Sequence, residues 1–85
     1  MPLVKLYASL RNLAGTKELP IAGATIRIVL NELVKRSPDV GSVILENRNL
    51  RPHIVVTLNG HNVSDLDDTV TDQDVVAIFP PIAGG

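Results

Sequence analysis

The chain has 85 residues, enough for one compact domain with a single core, and this length argues against a deep catalytic cleft. Its apolar share of 45% indicates a folded domain, and with only Tyr7 and Phe79 aromatic the core must consist of Leu, Ile, Val and Ala. The 8 basic and 9 acidic residues form no cationic run that could track a phosphate backbone, and the lack of cysteine excludes disulfides, thiolate metal sites and cysteine nucleophiles.

The first part of the chain predicts a β-hairpin. Leu3 to Leu10 mixes apolar and polar residues at a two-residue period, which predicts a strand. Asn12 and Gly15 then indicate a turn. Lys17 to Ile21 is the predicted return strand, ending near Pro20.

The next segment predicts the main helix, from about Thr25 to Arg36. The Thr25 hydroxyl can cap its first turn, and Pro38 prevents much continuation. Apolar residues follow at the three- and four-residue steps of one helical face: Ile26, Val29, Leu30, Leu33 and Val34.

The second half predicts further strands. Residues 40–52 give no firm element beyond a polar loop at 46–49. His53 to Leu58 is predicted as a strand, Asn59-Gly60 as a type I′ turn, and His61 to Val63 as the short return strand.

A last strand is predicted at Val75 to Phe79, in the central position of the sheet, and the prolines that follow end it. The order of hairpin, helix and further strands is typical of a β-grasp domain, an α+β fold with one main helix across a mixed sheet. We therefore predict a β-grasp domain over residues 1–79 and an extended tail over residues 80–85.

The tail is the candidate for chemistry. Pro80 and Pro81 offer no N–H donors, so the chain should leave the sheet as an arm that is mobile over residues 81–85 and reaches roughly 20 Å. Gly84 and Gly85 are slim enough to pass through a narrow channel in another protein. A two-glycine end is often merely frayed, but here it follows an apolar strand and a proline pair without a polar linker, which favours a function.

These segments resemble the ubiquitin-like sulfur carriers, most closely the small subunit of molybdopterin synthase. The likeness covers nearly the whole chain: the stretch 8–15, the helix from Thr25, the stretch 56–60 and, most specifically, the stretch from Asp72 to Gly85 with its Phe-Pro-Pro and final Gly-Gly. One departure is Gln73, where the family usually has glycine, so the turn before the last strand is expected to differ in shape or to carry mild strain.

The resemblance implies a carrier that is not itself an enzyme. A ubiquitin-activating-type enzyme would use ATP to adenylate Gly85, and the product would become a thiocarboxylate that donates sulfur to a pterin precursor in a larger synthase subunit, with no permanently bound cofactor. The partner-binding tail would comprise Phe79, Pro80, Pro81, Ile82, Ala83 and Gly84. Since there is no cysteine, the C-terminal acyl group is the position left for sulfur.

Two other functions stay open. The same activated Gly85 could be joined to lysines of target proteins, as in protein modifiers; a weaker alternative is an interaction domain whose tail is never activated. The proline pair favours the molybdopterin branch over the sulfur carriers of the thiamin pathway, which usually lack it.

Other residues suggest ordinary structural roles. His53, His61 and the acidic stretch from Asp65 to Asp74 lack the spacing of a metal site, and Phe79 is expected to pack into the core. No apolar run approaches the ~18 residues of a membrane span, and no signal peptide is visible. We expect a cytoplasmic chain without nucleic-acid or membrane partners.

Overall fold

The computed structural model describes residues 1–63 and 65–81. It contains one main helix, two short helices and seven strands. In chain order they are β1 (Leu3–Leu6), α1 (Ser9–Ala14), β2 (Glu18–Pro20), α2 (Ile26–Arg36), α3 (Pro38–Ile44), β3 (Leu45–Glu46), β4 (Asn49–Leu50), β5 (Val55–Leu58), β6 (His61–Asn62) and β7 (Val75–Phe79). None of the helices in the described ranges is long and apolar enough to cross a membrane.

The main sheet is mixed and has β7 at its centre. Its strand order is β2-β1-β7-β5-β6, while β3 and β4 form a separate hairpin. Strand β7 runs parallel to β1 and antiparallel to β5, with Phe79 opposite Val55. The predicted fold and the central place of the last strand are confirmed, so the tail leaves from the best-supported strand of the sheet.

One hydrophobic core joins the sheet to α2. Alternate residues of the central strands point to the helix side, and both Val76 and Ile78 are fully buried. On α2 the predicted apolar face is confirmed for Ile26, Val29, Leu30 and Leu33, which are buried, whereas Val34 is only half-buried. Since no buried side chain in the described ranges is polar or charged, the fold rests on apolar packing.

Helix α2 begins and ends as predicted. The Thr25 hydroxyl accepts a hydrogen bond from the Ile28 amide at 3.2 Å, and the Ser37 amide donates to the Leu33 carbonyl at 2.8 Å. Pro38 ends α2, but it also occupies the first turn of α3, where its missing N–H costs nothing. The sequence did not predict α3, because seven residues are too few for a clear helical period.

The predicted first strand is too long. It ends at Leu6 because Ala8 adopts φ 51° and ψ −130°, which no strand residue has, and Ser9–Ala14 then coil into α1. The predicted turn at residues 11–16 is therefore mostly helix. Gly15, at φ 74°, ends it and donates its amide to the Arg11 carbonyl at 2.9 Å.

The Asn59-Gly60 turn is confirmed, with φ of 52° and 85°. The Asn59 side chain also connects this turn to the start of β7: its amide donates to Asp74 Oδ1 at 2.9 Å, and its carbonyl accepts from the Val75 amide at 2.9 Å. The bond from Asn59, together with the Thr71 amide, lowers the pKa of the Asp74 carboxyl.

The strain expected at Gln73 is absent, since Gln73 is not among the residues with positive φ. The turn before β7 is closed in another way. The Thr71 amide donates to Asp74 Oδ2 at 2.7 Å, and the Asp74 amide donates to the Thr71 carbonyl at 3.1 Å. The Asp74 side chain and backbone thus close this turn without a positive φ at Gln73.

Candidate functional site

A groove lies at the end of β7, on the sheet face that α2 leaves uncovered. Its volume is about 1140 Å³. It is lined by Tyr7, Ala8, Ser9, His53, Val55, Thr57, Asn62, Phe79, Pro80 and Pro81. We call it the tail groove, because the first residues of the tail form part of its wall.

The apolar wall of the tail groove follows from strand alternation. While Val76 and Ile78 point into the core, Phe79 points to the opposite face, where its antiparallel partner Val55 stands 42% exposed. The prediction that Phe79 packs into the core is therefore wrong: Phe79 is only half-buried and lies outside the core. The physical reason is that successive strand residues point to opposite faces of the sheet, and α2 covers the face to which Ile78 points.

The two aromatic residues of the chain meet in this groove. The rings of Tyr7 and Phe79 stack with centroids 4.4 Å apart and an angle of 13° between their planes. The Arg11 guanidinium lies 5.1 Å from the Tyr7 centroid and donates from Nε to the Leu6 carbonyl at 2.8 Å. Arg11, Tyr7 and Phe79 thus form a three-layer stack that fixes the last residue of β7, and with it the point from which the tail departs.

Two wall residues of the tail groove have backbone conformations that are unfavourable for any residue with a side chain. Ala8 has φ 51° and His53 has φ 70°, and neither is glycine. Each such residue costs of order 1–3 kcal/mol, and residues of this kind cluster at functional sites. Their presence on one groove is a second indication that this surface is functional.

The structure places only part of the predicted tail. Phe79, Pro80 and Pro81 line the tail groove. Ile82, Ala83, Gly84 and Gly85 lie outside the described residues, as does the mobility expected for them. His53, to which the sequence assigned no role, is a wall residue, and the described residues contain no cluster of three possible metal-binding His, Cys, Asp or Glu side chains.

Comparison with known proteins decides the family. Residues 4–85 match the ThiS family. The chain belongs to the ThiS family. It is therefore a small carrier protein of the ubiquitin-like sulfur-carrier type, as the sequence predicted.

Two relatives of this ThiS-family chain have different names. Small archaeal modifier protein 3 of Haloferax volcanii is 32% identical over 88 residues, which cover 96% of each chain. The molybdopterin synthase sulfur carrier subunit of Arabidopsis thaliana is 34% identical over 85 residues, which cover 96% of this chain and 80% of the relative.

Solved structures of the family share the fold. Small archaeal modifier protein 1 of Methanosarcina acetivorans matches with a TM-score of 0.89 and 35% identity, over 98% of this chain and 94% of that one. A chain of the Amycolatopsis orientalis BexX/CysO complex matches with a TM-score of 0.89 and 26% identity. The match covers 100% of this chain and 100% of that chain. In the second case the matched chain is part of a complex with another protein.

Sequence reasoning found the tail but missed most of the groove. Tyr7 directly follows β1, and Val55 and Thr57 belong to β5; both strands neighbour β7 only in the folded sheet. One signal was available: Tyr7 and Phe79 are the only aromatic residues, and each lies in a segment predicted as a strand. Their pairing, however, depends on the parallel register of β1 and β7, which the sequence does not specify.

Proposed function

We propose that the C-terminal carboxylate of Gly85 is activated, and that the chain then serves as a carrier of this acyl group. The single observation behind the proposal is the placement of the tail: it leaves the central strand β7 through Pro80 and Pro81, beside an apolar groove on an open sheet face. A strand held on both sides is a rigid base for an arm that must reach into another protein. Membership of the ThiS family supports the same conclusion.

The chemistry needs no side chain of this protein. A Gly85 carboxylate oxygen attacks the α-phosphate of ATP on an activating enzyme, which forms an acyl adenylate and releases pyrophosphate. A sulfur nucleophile such as hydrosulfide then attacks the acyl carbon; its C–S bond forms, the bond to AMP breaks, and a proton goes to solvent. The product is a thiocarboxylate, and the phosphate bond of ATP supplies the driving force.

We assign the tail groove to the docking of the enzymes that handle this end. A water-exposed apolar surface that ends at the departing tail lets one enzyme hold the domain while the tail occupies its active site. The aromatic stack offers a large rigid contact at low entropic cost. The complex formed by CysO with BexX supports a protein as the occupant.

Sulfur delivery for molybdopterin synthesis is the first destination that we propose for the thiocarboxylate, with a larger synthase subunit as acceptor. The relative from Arabidopsis thaliana and the Pro80-Pro81 pair support it. A protein-modifier role is the second candidate, because the Haloferax volcanii relative is named a small archaeal modifier protein. Both functions use the same activated end and differ only in the acceptor.

The deciding experiment is the intact mass of the protein isolated from its own cells. We expect a fraction in which one oxygen of the C-terminal carboxylate is replaced by sulfur. Branched peptides that carry the tail on lysines of other proteins would favour the modifier role. A protein that never reacts with ATP and an activating enzyme, and is found neither sulfurated nor conjugated, would overturn the proposal.

The docking role of the tail groove predicts the effect of Val55→Ser. Removing exposed apolar surface from the groove should raise the KM for adenylation about tenfold, if Val55 is one of the few central interface residues whose truncation costs more than ~1 kcal/mol. Ile28→Ser is the matched control, because Ile28 is 45% exposed against 42% for Val55 but lies on α2, away from the groove. Steady-state kinetics with the activating enzyme measure both; equal KM values for the two variants would contradict the assignment.

A further inference from the structure

A second groove lies in the helical layer, on the side of the molecule away from the tail groove. It runs between α2, α3 and the β3–β4 hairpin and has a volume of about 680 Å³. Its lining consists of Arg27, Asn31, Val34, Lys35, Gly41, Ser42, Leu45, Asn47 and Arg48. The tail and the aromatic stack have no part in it, so the proposed carrier function does not account for it.

The second groove is cationic. Three of its wall residues are basic, and none is acidic. The nearby carboxylates form exposed ion pairs: Arg27 with Asp67 at 3.0 Å and Lys35 with Glu32 at 3.1 Å. Exposed pairs of this kind contribute about 0–1 kcal/mol, so a bound anion can replace them at little cost.

Arg48 is the cation without such a pair. Within residues 1–63 and 65–81 its guanidinium has no ion-pair or hydrogen-bond partner, and the one carboxylate of its hairpin, Glu46, is paired with Arg51 at 3.2 Å. Arg48 is exposed at the tip of the β3–β4 hairpin. Its charge is therefore free to meet a ligand.

The backbone at Arg48 is unfavourable for any residue with a side chain. The hairpin turns through Asn47 and Arg48 with φ of 52° and 69°, while the other two-residue turn of the chain, Asn59-Gly60, has φ of 52° and 85°. Glycine suits the second position of such a turn, and the chain places arginine there instead. Strained backbone of this kind clusters at functional sites, which indicates that the arginine side chain has a purpose other than closing the turn.

The groove is also held in shape. Arg27 Nη1 donates to the Arg48 carbonyl at 3.1 Å and so ties the hairpin tip to α2. Helix α3 lies close against α2 at Gly41, where a Cβ would come within 2.7 Å of the Val34 side chain. Half-buried Val34 and Leu45 add an apolar strip between the cations.

We propose that this second groove binds an acidic, partly apolar segment of another protein. Cations beside an apolar strip complement a segment in which carboxylates flank an aliphatic side chain. A single-stranded nucleic acid is disfavoured, because both aromatic residues of the chain lie in the other groove and none is available here for base stacking. Since the two grooves lie on opposite faces, such a partner can stay bound while an enzyme holds the tail. The proposal does not depend on the activation of Gly85.

The test uses the full-length, isotope-labelled protein and a synthetic eight-residue peptide of alternating Asp and Leu. Backbone amide shifts should move saturably at Asn31, Ser42 and Asn47 and stay unchanged at Tyr7 and Thr57. Because the contact is between exposed charges, raising the salt from about 0.05 M to 0.5 M should weaken binding severalfold. The same peptide with Asn in place of Asp should not bind.

Arg48→Gly is the decisive variant, because it removes the charge and relieves the strained turn at once. We expect the peptide Kd to rise about fivefold while thermal stability is kept or improved. Arg48→Lys should retain most of the affinity, and Lys17→Ala, which removes an exposed cation outside the groove, should leave the Kd unchanged. The proposal is overturned if the peptide does not bind, if Arg48→Gly binds it as well as the natural chain does, or if inorganic phosphate or a short oligonucleotide binds this groove more tightly than the peptide.

Discussion

Removal of Gly85 is expected to abolish thiocarboxylate formation and leave the fold intact. Gly85 follows the last strand β7 by six residues and has no side chain to contribute to a core. Its loss should change the free energy of unfolding by no more than about 0.5 kcal/mol. Chemistry should respond strongly, because the new carboxylate lies about 3.5 Å short of its former position, and a shift of about 1 Å can cost a hundredfold in rate.

An added residue after Gly85 should be equally harmful, since its side chain would enter a channel suited to backbone alone. Gly60→Ala is the informative control: at φ 85° an added Cβ strains the turn and should cost about 1 kcal/mol of stability, yet leave activation unchanged. ATP-dependent adenylation and thermal unfolding, measured on all four chains, separate the two effects. If the shortened and lengthened chains were both activated as well as the natural chain, the C-terminal mechanism would be ruled out and an interaction domain favoured.

The sequence predicted the elements whose patterns are long or whose chemistry is special. Helix α2 combines a capping threonine with an apolar face over 11 residues, and the two signals agree. The Asn59-Gly60 pair fixes a turn because few residues accept its dihedral angles. Strand β7 is five residues of mostly β-branched character followed by two prolines, so its type and its end are both specified locally.

The errors arise where local and tertiary signals differ. Leu10 continues the apparent alternation of β1, but its burial is achieved from α1 after the backbone reverses at Ala8. Alanine rarely adopts a positive φ, so the sequence predicts that the first strand continues through Ala8. Helix α3 was also not predicted because it begins at Pro38, the same residue that prevents α2 from continuing.

Of the candidate site, the tail could be predicted from the sequence and the tail groove could not. The tail is a contiguous motif, and its composition alone identifies it. The tail groove joins residues of β5, of β7 and of the segment that directly follows β1, which are far apart in the chain. A shift of one residue in either register of β7 would turn Tyr7, Val55 or Phe79 toward the core. Only the assembled sheet shows that these side chains share a face, and that this face adjoins the tail.

Leu30→Ala is expected to cost about 2–5 kcal/mol of stability, a large part of the total for so small a domain. Leu30 is 1% exposed on the buried face of α2 and belongs to the core that joins this helix to the sheet. Because protein cores are close-packed, the neighbouring side chains relax only partly into the cavity. Ile28→Ala on the exposed side of the same helix is the matched control, as Ile28 keeps 45% of its surface in water and should cost much less.

Thermal unfolding of the two variants gives the answer directly, since each kcal/mol shifts the Tm of a domain of this size by about 4–8 °C. Leu30→Ala should therefore melt well below Ile28→Ala. A loss under about 1 kcal/mol at Leu30 would contradict the packing of α2 on the sheet. It would also remove the support for a rigid β7, because the side chains that hold this strand from within, Val76 and Ile78, lie in the same core as Leu30.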